Sequence, residues 1–532
     1  MMRARACLLL AGLLAAGGAA GQTVPDGFAV EPLVQGLASP TAFQLMPDGR
    51  VLFAEQFTGR VRVFVPGTGV QSTPVLQLSD VSTNGGERGL LGVALDPAFP
   101  TRPFLYVHYT ALPTASTPNR IRIARFTLAT VPNGPDGFDL VADTLTRYAL
   151  IDDIPDAQPN HNGGTVRFAA DGLLYASLGE DAQPCAAQDT TALRGKILRL
   201  NVSALPPGPG RAFRAQITPF DNPFVSRPDS NARLVAALGL RNPFRIQPDR
   251  VRNWLVIGDP GESTREELDV LVLRLPTPRP AQPELGADFG WPYLEGSVPG
   301  PSPGACGPTP PLLAAPEFEY DRTTQLGGAA IIAAGAYWAT GTGDHDFPTE
   351  YAGDLFANDY YSGTLYHLVP SGNGFAPGPD VLGQPVPGKW GTGFEGISDW
   401  ALGNDGAFYF CRQSTGFNDT TGVIGRIICT TTSPPVPPPG PTTVRLFQSP
   451  AVNGARFLVT LNARPAALTI HDANGRRVRR FSDAAFELRS DGRLQLDWDG
   501  VDDEGRKVHP GLYLARVESG GQDASVRVPF LR

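Results

Sequence analysis

His161 lies in NHNGGTVRFAADGLLYASLGED (residues 160–181), on an Asn/Gly turn leading into two short apolar strands joined by Asp171-Gly172. An imidazole on a loop held by rigid sheet can take a proton near neutral pH, provided a partner orients its second nitrogen. A second group occupies LVAALGLRNPFRI, where an apolar strand delivers Arg241 and Asn242 to a loop and Pro243 ends the strand. A guanidinium grips a carboxylate or quinone oxygens in a two-point fork, and an amide adds a directed donor. The loop GDPGESTREELD (residues 258–269) gathers carboxylates with a Gly and a Pro, a supply of hard oxygens that suits calcium better than zinc. Glu87, in GGERGLLGVALDP, could orient His161 or bond a ligand, and Trp291 and Tyr293, in GADFGWPYLEG, could wall a flat cofactor or a sugar. Each has a plainer reading: a turn hydrogen bond for His161, an interblade ion pair for Arg241, a solvated turn for the acidic loop, and core packing for the aromatics. No His/Cys cluster has transition-metal spacing, and no Gly-rich phosphate loop or GxSxG elbow occurs.

The elements that must position these residues repeat. Six segments carry a turn, a strand rich in Leu, Tyr, Phe and Val, and a further strand after a Gly; they begin near Pro47, Pro103, Ala170, Asn253, Gly353 and Asn404. Each unit is too small to fold alone, and radial stacking would bury its faces, which predicts a six-bladed β-propeller over residues 22–430 with long loops on one face. The pattern stops near Thr430. TTSPPVPPPGPT (residues 431–442) reads as an extended, semi-rigid linker. Beyond it LTIHDANGRRVRRF and LQLDWDGVDDEGRKVHPGLYLARVESG read as hairpins of a small immunoglobulin-like β-sandwich, residues 443–532. The fold class expected is all-β.

The bulk numbers agree with an ordered, multi-domain globular chain: 532 residues, 42% hydrophobic and 18% charged. A net charge of −8 without a basic concentration argues against nucleic acid as a partner. Arg3 and Arg5, the apolar run Leu8–Ala16 and GGAAG form a signal peptide, residues 1–21, which implies export to the periplasm, cell surface or medium. No later run reaches the ~18 apolar residues of a transmembrane span. The mature chain keeps Cys185, Cys306, Cys411 and Cys429, an even number that predicts two disulfides. The favoured pairs are Cys411–Cys429 between neighbouring strands and Cys185–Cys306 between loops; free buried thiols are the alternative.

Taken in order, ERGLLGVALDPAF, HNGG with DGLLYASLGE, LGLRNPFR, GDPGESTREELDVL, FGWPYLEG and FPTEYAGDLFANDYYSGTLYHL resemble the soluble quinoprotein glucose/sorbosone dehydrogenase family across residues 27–430. The resemblance implies a six-bladed propeller binding pyrroloquinoline quinone (PQQ) and calcium on one face. It implies that His161 removes the C1-hydroxyl proton of an aldose as hydride passes to the quinone, with electrons going on to an external acceptor. It places Arg241 and Asn242 at the quinone carbonyls and Glu87 near the cofactor. Glu180 stands where many members carry Asp beside the histidine, Asp259 and Pro260 stand at the calcium-holding loop, and Trp291 is an expected aromatic contact. One departure is visible: LFANDYYSGTLYHL, from Leu355, has no Lys or Arg where glucose-oxidising members hold the PQQ carboxylates, leaving Arg241 and Arg322 as cations. WDGVDDEGRKVHPGLYLARV, from Trp498, resembles the immunoglobulin-like domain of flagellar hook-capping proteins and surface-sorting modules, implying contact with secretion or cell-surface machinery. The expected activity is an exported PQQ-dependent aldose dehydrogenase. The competing readings are a non-catalytic carbohydrate- or protein-binding propeller and a calcium-dependent lactonase, the latter opposed by the His161–Arg241–Asn242 set.

Overall fold

The computed structural model describes residues 21–532 except 134–136, 274–283, 302–303, 305, 325–327, 373, 415–418, 431–442, 447–450, 453, 461–465, 483–484, 489–493, 520–521 and 532. The expected signal peptide, apart from its last residue, and the Pro-rich linker lie outside the described residues. Nearly every regular element is a strand, and no helix among the described residues is long and apolar enough to cross a membrane.

The chain divides into two compact units, the larger comprising residues up to 336, 354–403 and 408–428. It holds six sheets of four or five strands. Sheet I runs Pro40–Leu45, Val51–Glu55, Arg60–Val65 and Gly69–Val70, with Leu76–Gln77 beside the third strand. Sheet II runs Leu90–Leu95, Phe104–Ala111, Arg120–Pro132 and Phe138–Pro155, with Gly210–Arg211 added in parallel. Sheet III is Val166–Phe168, Leu174–Leu178, Lys196–Leu200 and Val235–Ala237; sheet IV is Arg245–Asp249, Trp254–Asp259, Arg265–Val272 and Phe318–Asp321. Sheet V is Ile331–Ala336, Leu355–Asp359, Leu365–Ser371 and Gly374–Pro377. Sheet VI is Ile397–Leu402, Phe408–Arg412 and Gly422–Cys429, completed by the N-terminal strand Phe28–Leu37.

Strands such as Leu174–Leu178 and Trp254–Asp259 are buried along their whole length, because sheets pack on both faces. That explains near-continuous Leu/Val/Ile/Tyr runs in place of strict alternation. The first strands of sheets I to VI pack neighbour to neighbour, and the strand of sheet VI returns to that of sheet I. Arg245 ties this ring at its centre. Its Nε donates to Ser398 O at 2.6 Å, its Nη2 to Leu91 O at 3.0 Å and also to Thr41 O. Asp399, fully buried, accepts from Phe43 N at 3.0 Å, Arg167 Nη2 at 2.6 Å and Gln247 Nε2 at 3.1 Å. Buried charges persist when paired and hydrogen-bonded in this way.

Cys185 and Cys306 are joined by a disulfide. The expected Cys411–Cys429 bridge is not formed, and both cysteines are buried thiols. Register is the reason: Cys411 pairs opposite Ile424, five positions before Cys429 on the same strand. At roughly 3.3 Å per residue that puts the two side chains far beyond disulfide reach.

The second unit comprises residues 337–353, 404–407 and 429–532. Its C-terminal part has two sheets, one of Thr443–Leu446, Ala455–Thr460, Leu494–Trp498 and Glu487–Leu488. The other is Ala451–Val452, Gln522–Leu531, Gly511–Ser519, Ala466–His471 and Arg477–Phe481. Phe457, Leu496, Trp498, Ile470, Val517 and Phe530 from both sheets share one core, as a β-sandwich requires.

Candidate active site

In an antiparallel meander the start of the first strand and the end of the second lie at the same edge. His161, Glu87 and Arg241–Asn242 precede the first strands of sheets III, II and IV. Gln56, Glu180, Pro260, Tyr360 and Gln413 follow the second strands of sheets I, III, IV, V and VI. Connectivity therefore gathers these residues at corresponding edges, where a cavity of about 540 Å³ opens. His161, Glu87, Arg241, Asn242 and Pro260 line it, together with Arg322. This volume lies in the range of small-molecule sites.

His161 has φ +60°, a conformation rare outside glycine that is tolerated where surroundings dictate it. Its Nδ1 is hydrogen-bonded to Glu180 Oε1, and the Glu180 side chain is almost completely buried. A carboxylate accepts, so Nδ1 carries the hydrogen and the Nε2 lone pair is left for the cavity. Gly179 makes the approach of the two loops possible: a Cβ there would meet His161 O at 2.1 Å and Asn242 Oδ1 at 2.7 Å. Glu180 N donates to Arg241 O at 2.9 Å, fastening the loop behind the histidine to the next one.

Glu87 and Asn242 interlock the rest. Glu87 accepts Asn162 N at 3.0 Å and Asn242 Nδ2 at 3.0 Å, while Asn242 Oδ1 accepts Gly163 N at 3.0 Å. Enclosure in protein raises the Glu87 carboxyl above its ordinary value, against the pull of the Asn162 N–H, His161, Asn242 and Arg241. Asp259 is buried and accepts Arg241 N at 2.8 Å and Asn242 N at 2.6 Å. Arg241 Nη1 donates to Pro260 O at 3.1 Å, and its guanidinium sits 5.4 Å over the Trp291 ring.

Two of the expected site residues stand behind the cavity lining. Trp291 is 2% exposed and supports Arg241 from below, so it does not wall the cavity; the aromatic lining is Tyr360 and Tyr361, with Phe57 and Phe244. Glu180 likewise stands behind His161 and reaches the cavity only through the imidazole.

Residues 37–343, more than half of the chain, match the family model described as Glucose / Sorbosone dehydrogenase. The chain belongs to the glucose/sorbosone dehydrogenase family. Residues 446–523 match the model of the FlgD Ig-like domain. Among individual relatives, the chain is 26% identical over 264 residues to the aldose sugar dehydrogenase YliI of Escherichia coli, covering 49% of this chain and 61% of that protein. It is 24% identical over 298 residues to quinoprotein glucose dehydrogenase B of Acinetobacter calcoaceticus, covering 51% and 54%. The chain thus spans less than two thirds of these relatives. The structure of the soluble aldose sugar dehydrogenase of Escherichia coli in its apo-form superposes with a TM-score of 0.53 at 21% identity, over 76% of this chain and 99% of that one. That likeness establishes the fold.

Whether this member can hold its family's cofactors is decided by its donors. Calcium takes six to eight oxygens. Both side-chain oxygens of Asp259 are occupied by main-chain N–H groups and Pro260 O by Arg241, while Gly261 O accepts Arg322 Nη1 at 3.3 Å. No group of three His, Cys, Asp or Glu side chains among the described residues is arranged to hold a metal ion. The Asp259 and Pro260 oxygens thus already serve loop geometry, and a calcium ion held by them would use their second lone pairs. A flat, anionic quinone fits better. The cavity has room, Arg241 Nε is buried without a partner, no carboxylate pairs with that guanidinium among the described residues, and Tyr360 and Tyr361 line the wall.

Tyr360, Tyr361, Gln56 and Gln413 were not singled out from sequence. Tyr360 OH donates to Gln413 Oε1 at 2.8 Å, and Gln413 Nε2 donates to Gln56 Oε1 at 2.6 Å. The usable signal was positional: each follows the second strand of its repeat, as Glu180 and Pro260 do.

Proposed function

We propose that the protein is an exported, PQQ-dependent aldose dehydrogenase with His161 as its general base. Residues 22–430 form the six-bladed propeller, 431–442 the linker, and 443–532 a module for secretion or surface attachment. The observation that carries this reading is the His161–Glu180 pair at the cavity edge, with no bond to Nε2 among the described residues.

An aldose C1 hydroxyl gives its proton to His161 Nε2, and Glu180 stabilises the imidazolium that results. PQQ, were it bound, would supply the two-electron acceptor for the hydride leaving C1. Arg241 and Asn242, fixed by Asp259 and Glu87, would hold the quinone, and the aromatic wall would screen it from water. The sugar leaves as its lactone.

Dye-linked aldose oxidation by apo-protein, with and without PQQ and calcium, tests this beside His161→Ala. PQQ-dependent activity that the substitution abolishes is expected. A second reading, a carbohydrate-binding propeller without catalysis, is favoured by the neutral wall of Tyr360, Tyr361, Gln413 and Ser414. Sugar binding without PQQ binding or oxidation would select it.

A further inference from the structure

Arg322 follows the last strand of sheet IV and reaches the cavity beside Pro260 and Gly261. Its Nη1 is held three ways: by the buried Glu266 carboxylate, by Ala329 O at 2.6 Å and by Gly261 O. Its Nε and Nη2 make no bond to protein among the described residues, and the side chain is 25% exposed. A guanidinium anchored at one nitrogen keeps an unspent edge in fixed orientation, the arrangement that grips a carboxylate at two points. The neighbouring carbonyls Pro260 and Gly261 anchor Arg241 and Arg322 in turn, so two cations share one wall. Between and beyond them the lining is Ala329, Ala330, Ile332, Tyr360 and Gln413, none cationic. Glu266 engages Arg322 at one nitrogen. Its second oxygen accepts Ile331 N at 2.9 Å, and burial, with Asp359 nearby, holds its carboxyl up to about 8 against the pull of Arg322 and that N–H.

We propose that Arg322 binds a carboxylate of the ligand in this cavity, so that the anionic end of the ligand faces sheet IV and its neutral end faces sheets V and VI. The proposal rests on the dehydrogenase reading for where the ligand sits. The carboxylate belongs either to the quinone cofactor or to an acidic sugar, and the experiment separates the two.

Binding of PQQ by apo-protein is followed by quenching of tryptophan fluorescence, and binding of glucuronate against glucose by calorimetry. Arg322→Gln, Arg322→Lys and the neutral pair Glu266→Gln/Arg322→Gln are compared with the wild type. The paired variant leaves no buried carboxylate stranded, so it reports binding even where Arg322→Gln unfolds. A charged hydrogen bond of about 1.5–3 kcal/mol predicts a Kd weakened roughly ten- to a hundred-fold in the Gln variants, with partial recovery in Arg322→Lys. Weakened PQQ binding identifies the cofactor as the source, and weakened glucuronate binding with glucose unaffected identifies the substrate. PQQ and glucuronate binding both unchanged in the paired variant would overturn the role of Arg322. A wild type that binds neither anion would overturn it too; failure to bind PQQ alone would remove only the cofactor reading.

Discussion

Asp259 receives the main-chain N–H of Asn242 at 2.6 Å, and its other oxygen receives that of Arg241 at 2.8 Å. The acid that the loop composition suggested for a metal fixes the two residues that face the cavity. Replacing it strands the buried Asn242 N–H and the part-buried Arg241 N–H. Asp259→Ala is expected to cost about 2–4 kcal/mol in urea unfolding, with Asp259→Asn milder because one acceptor survives. Equal stability of wild type and Asp259→Ala would contradict this positioning role.

Glu180 sets the histidine tautomer. Glu180→Gln can donate to Nδ1 and turn Nε2 into the protonated nitrogen, so kcat is expected to fall ~10²–10⁴-fold with KM little changed. Steady-state kinetics on one aldose decides the matter; a change confined to KM would place Glu180 in binding.

His108 is completely buried, and among the described residues its ring nitrogens meet only the Thr165 backbone, too poorly aligned to make a normal hydrogen bond. Burial, reinforced by Arg245, lowers its pKa to about 3 from an ordinary 6.5. Between those values the unfolded chain binds a proton that the folded chain does not, so stability rises with pH across the window and is lost as pH falls. The expected slope approaches about 1.4 kcal/mol per pH unit from this group. Urea unfolding of His108→Leu between pH 4 and 7 should show a shallower pH dependence than wild type. Parallel curves would refute it.

Cys185 and Cys306 are 121 residues apart, and Gln188, just beyond the first, donates to Trp291 O at 2.8 Å beneath Arg241. Closing so long a loop stabilises by roughly 3–5 kcal/mol on chain-entropy grounds. Cys185→Ser/Cys306→Ser should lower the Tm by several degrees and remove its sensitivity to reductant. A Tm unchanged by dithiothreitol in the wild type would show that the bridge contributes nothing.

The strands were legible because Leu/Tyr/Phe runs punctuated by Asp-Gly turns survive full burial as a pattern. The strand Phe28–Leu37 was not assigned to a repeat, since its partner Gly422–Cys429 lies almost four hundred residues away and pairing at that range leaves no local trace. His161, Glu87, Arg241 and Asn242 could be read because loop glycines and Arg-Asn-Pro mark unusual backbone. Tyr360 and Gln413 look locally like ordinary strand ends. Trp291 was left between cavity wall and core because an aromatic after Phe-Gly reads alike whether its ring faces a ligand or the underside of an arginine.

The measurement closest to the central claim is the rate at which aldose reduces PQQ bound to wild type and to His161→Ala, each with occupancy measured first. The account predicts similar occupancy and a rate lower by about 10²–10⁴ in the variant. Equal rates at equal occupancy would show that His161 is not the base.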